Sequence, residues 1–97
     1  MDVIGYTKLQ DFWTRHPPAR PPLQQWHQAV QSVMWEQFAD VRKTYPSADR
    51  VGRCYVFNVG GNKYRLIASI DFSAGRIYVR EALTHAEYDK NKWRRHC

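Results

Sequence analysis

Ninety-seven residues leave room for a single domain over 1–97 with one modest core, since a chain this short buries only about 60–65% of its unfolded surface. Apolar residues make up 43%, with four Trp, six Tyr and four Phe, and no apolar run approaches the length of a membrane span, so no membrane partner is expected. Lys and Arg outnumber Asp and Glu by 15 to 9; the resulting +6 points to a polyanion or an acidic protein as partner, although it also serves plain solubility.

In chain order, Met1–Gly5 is a candidate short strand and carries no basic region followed by an apolar stretch, so no signal peptide is expected. From Thr7 to Arg15, Leu9, Phe12 and Trp13 form a helical stripe that His16-Pro17-Pro18 should end. Pro21-Pro22 opens the next helix, and Leu23, Trp26, Val30, Val33 and Met34 recur at helical spacing through about Trp35. One or two further turns are predicted over Phe38–Tyr45, then a loop through Pro46–Asp49 and Gly52.

The period then changes to two. Cys54–Val59, Lys63–Phe72 and Arg76–Leu83 read as an antiparallel meander, joined at Gly60-Gly61-Asn62 and Ser73-Ala74-Gly75. Thr84-His85-Ala86-Glu87 fits a capping box, so a last helix should begin at His85 and run to about Arg94. The class is α+β: an antiparallel-dominated sheet with an N-terminal strand, two N-terminal helices on one face and a C-terminal helix. Cys54 lies in a strand-like run and Cys97 ends the sequence, where mobility is expected. Their spacing suggests neither a metal site nor a disulfide framework, and two reduced thiols in a cytoplasmic protein are the expectation.

Alternation assigns the faces. Tyr64, Leu66, Ala68, Ile70 and Phe72 should meet the helices, as should Ile77, Val79 and Leu83. Lys63, Arg65, Arg76, Tyr78 and Arg80 then point the other way, while Glu81 falls on the core parity, which implies a bend or an exposed edge there. Open faces of antiparallel sheets are normally polar, but this one carries cations and a tyrosine with few acids, as single-strand readers do. His85 stands at a helix start, a place that suits a neutral imidazole acting as general base, and Tyr88 follows one turn on. His16, His27 and His96 are less well placed. The acids are scattered, so neither a metal nor a cofactor is expected, and Cys54 has no evident base to make it a nucleophile.

Three runs also carry a family likeness: Tyr45-Pro46-Ser47-Ala48-Asp49, Val56 through Leu66 with its Asn62-Lys63-Tyr64-Arg65, and Thr84-His85-Ala86-Glu87-Tyr88-Asp89. They resemble the HigB branch of type II toxins, within the RelE/ParE superfamily of messenger-RNA interferases. The likeness is strong over about residues 36–93; the N-terminal helices agree mainly in length and order. It implies a RelE-like α+β toxin that cuts messenger RNA in the ribosomal A site, by attack of the neighbouring 2′-hydroxyl on the scissile phosphate, without a metal. It also implies a HigA-type helix-turn-helix antitoxin as partner. On this resemblance the catalytic residues are Arg65, as phosphate contact, with Arg80, His85 and Tyr88; Lys63, Arg76, Tyr78 and Lys92 are the expected RNA contacts. ParE-like members of the superfamily instead poison DNA gyrase, and a plain RNA-binding module is a further alternative. Any exposed Trp among Trp13, Trp26 and Trp35 would be a candidate antitoxin anchor.

Overall fold

Strand β1 (Asp2–Ile4) runs directly into helix α1 (Tyr6–Arg15) through Gly5, whose φ of +94° disfavours any side chain and where a Cβ would lie only 3.0 Å from the Val79 carbonyl oxygen. The computed structural model describes residues 1–97. α1 buries Leu9 and Phe12. A 3-10 turn over Pro17–Ala19 leads into α2 (Arg20–Gln31), which buries Leu23, Trp26 and Val30 and carries its prolines in the first turn, where no amide partner is required.

α2 ends at Gln31, short of the Trp35 that the apolar spacing predicts. Ser32 Oγ donates back to the Ala29 carbonyl at 2.8 Å, and the Met1 amine donates to the Val30 carbonyl at 3.1 Å and to that of Val33. The Ala29 and Val30 carbonyls are thus satisfied without another turn. Met34, expected on the buried stripe, is 69% exposed. Trp35 is buried from the following loop, stacked on Phe57 with ring centres 6.1 Å apart, and its Nε1 donates to Thr44 Oγ1. Helix α3 (Phe38–Thr44) supplies the predicted further turns.

The sheet has five strands in the order β1-β5-β4-β3-β2. β3 (Cys54–Val59), β4 (Tyr64–Asp71) and β5 (Arg76–Thr84) form the predicted antiparallel meander. β1 joins β5 in parallel, and β2 (Asp49–Val51), read from sequence as loop, pairs with β3 through a turn at Gly52. Three residues rich in charge carry no period that marks a strand. The class is α+β, as expected.

α1 and α2 cover one face, packing on Phe57, Leu66, Ala68, Ile77 and Val79. Phe57 is the hub: the rings of Trp26, Trp35 and Tyr45 all lie 5.4–6.1 Å from it. The opposite face carries a second cluster of Cys54, Val56, Ile67 and Trp93, with Leu83, Tyr88 and Cys97 against it. Leu83 therefore lies opposite to the face that alternation assigned it. Ile67 pairs with Glu81 but Ala68 with Val79, so Arg80 is an extra residue, and parity inverts beyond it. The anomaly expected at Glu81 is this bulge.

The chain after β5 also departs from expectation. α4 (His85–Asp89) is five residues long, because Asn91 adopts a left-handed φ of 60° and turns the chain into a 3-10 segment, Lys92–His96. That segment lies back across the sheet and places Trp93 on Ile67. Cys97 is bonded to Cys54, with Cα atoms 5.2 Å apart, and its carbonyl accepts from Arg53 N at 2.8 Å. The expected pair of reduced thiols and the mobile last residue are thus corrected. A separation of 43 residues says nothing about proximity; the turn at Asn91 creates it. No helix is long and apolar enough to cross a membrane.

Candidate functional site

The end of β5 delivers α4 against the β3–β4 turn. Thr84 Oγ1 accepts from Glu87 N at 3.2 Å and Glu87 Oε1 accepts from Thr84 N at 3.0 Å, the capping box read from sequence. The Thr84 amide holds the Glu87 carboxyl below its ordinary value of 4.5, and the Thr84 hydroxyl adds to the effect. His16 and Arg15, at the end of α1, are near enough to act in the same direction. His85 N donates to the Lys63 carbonyl at 3.1 Å, which ties the helix start to the turn.

The imidazole of His85 is 43% exposed, and its Nδ1 lies 3.0 Å from Asp89 Oδ2. A carboxylate oxygen there accepts from an Nδ1–H, and in the neutral ring with that tautomer Nε2 keeps its lone pair. Sequence reasoning missed Asp89, although His and Asp at i, i+4 was the signal that would have found it.

Arg65 is 7% exposed. Its Nη1 donates to the carbonyls of Asn62 and Tyr64 at 3.2 and 3.1 Å, and its Nη2 to Asn62 Oδ1 at 2.6 Å. Three of its hydrogen bonds thus shape the turn that carries Lys63. The guanidinium sits 5.1 Å from the centre of the Tyr88 ring, and Tyr88 stacks on Trp93 at 5.0 Å with planes 11° apart. Trp93 Nε1 donates to the Tyr88 carbonyl at 2.9 Å. Arg65 and Trp93 thus both pack against the Tyr88 ring.

The remaining predicted residues do not converge on His85. Arg80, exposed at the bulge, donates to Ser69 Oγ at 3.2 Å. It lies about 13 Å of strand before Thr84, taking roughly 3.3 Å per residue. With Tyr78, Ile4, Lys8, Trp93 and His96 it lines a separate open cavity of about 460 Å³. Arg76 is at the far end of β5, opposite Asp2 and Asp71 in the ladder. Asp71 is held below its ordinary value chiefly by the Ala74 amide and the Ser73 hydroxyl, with Arg76 a smaller influence. Lys63 is exposed beside His85, whereas Lys92 borders a hollow of about 230 Å³ with Glu81, Glu87 and Lys90. No three His, Cys, Asp or Glu side chains group as metal ligands would. Trp26 and Trp35 are buried, and Trp13 is half-buried between Tyr6 and Arg20.

Residues 19–91 match a family described as HigB toxin, the RelE-like toxic component of a toxin–antitoxin system. The chain belongs to the HigB toxin family. Curated relatives agree. The Escherichia coli K12 "mRNA interferase toxin HigB" is 30% identical over 92 residues, covering 92% of this chain and 88% of the relative. The "mRNA interferase HigB" of Shigella flexneri has the same identity and coverage. That of Escherichia coli O6:H1 is 28% identical over 93 residues, 93% of this chain and 90% of the relative.

In this HigB-family toxin the region around α4 combines a carboxylate-oriented imidazole, an exposed lysine on a turn locked by an arginine, and a tyrosine packed against that arginine and Trp93. Such a set can move a proton and offer positive charge to an anion.

Proposed function

We propose that this toxin is an endoribonuclease that cuts messenger RNA in the ribosomal A site, in the cytoplasm, and is restrained by a HigA-type helix-turn-helix antitoxin. The observation that carries the reading is the His85–Asp89 pair beside Lys63 and the Arg65–Tyr88 stack. The interferase names of its relatives support the same reaction class.

The chemistry assigned is internal phosphoryl transfer. His85 Nε2 takes the proton of the 2′-hydroxyl, the 2′-oxygen bonds to phosphorus, and the bond from phosphorus to the 5′-oxygen breaks. A proton returns to that 5′-oxygen, leaving a 2′,3′-cyclic phosphate and a 5′-hydroxyl end. Tyr88 contributes through its hydroxyl. Charge on the five-coordinate phosphorus falls to Lys63 and to the N–H groups of Arg65 that the Asn62 turn does not use. Arg80 with Tyr78, and beyond them Arg76, offer a cationic path for flanking RNA along β5, with Lys92 on the other side of α4.

The test is primer extension on a messenger RNA incubated with purified ribosomes, comparing wild type with His85→Ala. Cuts that need ribosomes and vanish in the variant are the expected result. A folded wild type that leaves the message intact, but blocks supercoiling by gyrase, would replace this reading with the ParE-like one.

A further inference from the structure

We propose that Trp93 is a positioning residue for Tyr88 and Arg65 and that the Cys54–Cys97 disulfide governs its hold, so that a dithiol weakens the site. The proposal rests on the nuclease reading for its activity arm, but not for its structural arm.

The last residues form a strap with little else to fasten it. Of Lys92 through His96 only Trp93 is buried, and the segment is a short 3-10 helix, whose hydrogen-bond geometry is poorer than that of an α-helix. Lys90, Lys92, Arg94 and Arg95 crowd four like charges into six residues, and no acid forms an ion pair with any of them. Against that repulsion stand the Glu81 and Glu87 carboxylates that share a hollow with Lys90 and Lys92, the Arg53 amide on the Cys97 carbonyl, the Trp93 ring on the sheet and the disulfide. Gly52, with φ +59°, lies so close to the Cys97 carbonyl that a Cβ there would collide with it. The strap is therefore seated closely where the disulfide holds it.

Each link from the disulfide to the site is a direct contact. Cys97 fixes the end of the strap, the strap fixes Trp93, and Trp93 fixes Tyr88 through the stack and through its Nε1 bond to the Tyr88 carbonyl. Tyr88 in turn covers the Arg65 guanidinium. α4, only five residues long, has no length of its own to hold His85 and Tyr88 in place.

Cys54 is fully buried and Cys97 partly exposed, so a dithiol thiolate attacks Cys97 Sγ. The Sγ–Sγ bond breaks and the Cys54 thiolate leaves. The second thiolate of the reagent then closes on the mixed disulfide, expels the Cys97 thiolate and forms a cyclic disulfide. Two electrons pass to the protein, and both cysteines end as thiols after taking up protons.

The experiment compares oxidised wild type, wild type reduced with dithiothreitol, Cys97→Ser, Trp93→Ala and Trp93→Phe. Single-turnover cleavage of ribosome-bound message is measured alongside amide exchange. Reduction should slow cleavage roughly 10–100-fold through the rate constant rather than through KM, the scale of a small misplacement of reacting groups. Cys97→Ser should sit at the reduced rate whether or not dithiothreitol is present. Trp93→Ala should match it with the disulfide intact, while Trp93→Phe restores most of the rate. Amides of 85–97 should exchange faster on reduction, with those of α1 and α2 unchanged. Equal cleavage and equal exchange in both redox states would overturn the proposal, as would faster exchange throughout the molecule. Failure of oxidised wild type to cut at all would refute the nuclease reading alone; faster exchange confined to 85–97 would then still support the clamp, and unchanged exchange would refute it as well.

Discussion

The Nδ1 atom of His85 lies 3.0 Å from Oδ2 of Asp89, one turn along the same short helix. A carboxylate at that point selects the tautomer and sets the ring's angle, and it leaves the outer nitrogen for substrate. His85→Ala should lower the cleavage rate constant about 10²–10⁴-fold, the worth of one positioned proton transfer, with ribosome affinity nearly unchanged. Asp89→Ala should lower it by less, with KM unchanged, because the imidazole survives and only its orientation is lost. Single-turnover cleavage of ribosome-bound message measures both. A wild-type rate in Asp89→Ala would remove the orienting role.

Arg65 has a structural duty as well as a proposed chemical one. Replacing it with Ala removes three hydrogen bonds from the Asn62 turn and one layer from the Tyr88 stack, and should cost roughly 1–3 kcal/mol in urea unfolding. Arg65→Lys should recover little of either stability or toxicity, since an ammonium has neither the planar fork nor the flat face that this site uses. Full toxicity in the Lys variant would show that charge alone is what the position supplies.

The cap of α4 predicts a pH dependence. The folded-state value of Glu87 is depressed below its ordinary 4.5, so its contribution is fully present above that value and is lost as pH falls through the lower folded one. Glu87→Gln should reduce stability near neutral pH by a modest amount, the side chain being mostly exposed, and should flatten the acid limb below about pH 4.5. Thermal unfolding of both proteins between pH 3 and 7, about the range in which carboxyl groups titrate, would reveal the difference. Parallel curves would assign the acid limb to other carboxyls.

Phe57 and Met34 make a paired prediction about the core. Phe57 is fully buried among three rings, so Phe57→Ala should cost about 3–5 kcal/mol. Met34 is exposed, and Met34→Ala should stay within about 0.5 kcal/mol despite its place in an apolar run. Chemical denaturation of the two variants distinguishes this packing from a helix continued to Trp35.

Much of this molecule is legible in its residues. The stripe of Leu9 and Phe12, the alternation through β3 and β4, and the Thr84–Glu87 cap each state a local rule that the fold obeys. What escaped was set by groups distant in sequence. The Met1 amine takes up carbonyls at the end of α2, Cys54 meets Cys97 across 43 residues, and β2 exists only because β3 offers it an edge. At the site, the capping box fixed where α4 begins but not where it ends. The basic face was anticipated as a set of residues, but the bulge and the strap divide it, with His85, Lys63, Arg65 and Tyr88 at one end and Tyr78, Arg80 and Arg76 further down the strand. No spacing in the sequence announces an αL residue at Asn91, and that one conformation brings Trp93 under Tyr88.

Arg80 is the one residue of β5 that its neighbouring strand does not count. Deleting it outright would straighten the strand and still leave Glu81, Leu83 and α4 on their present sides, because Val79 and Glu81 already oppose consecutive residues of β4. Substituting it removes the guanidinium but keeps the kink. Chain length and side-chain chemistry are therefore separable at this position, and a deletion and a substitution there would answer different questions: one about shape, the other about charge.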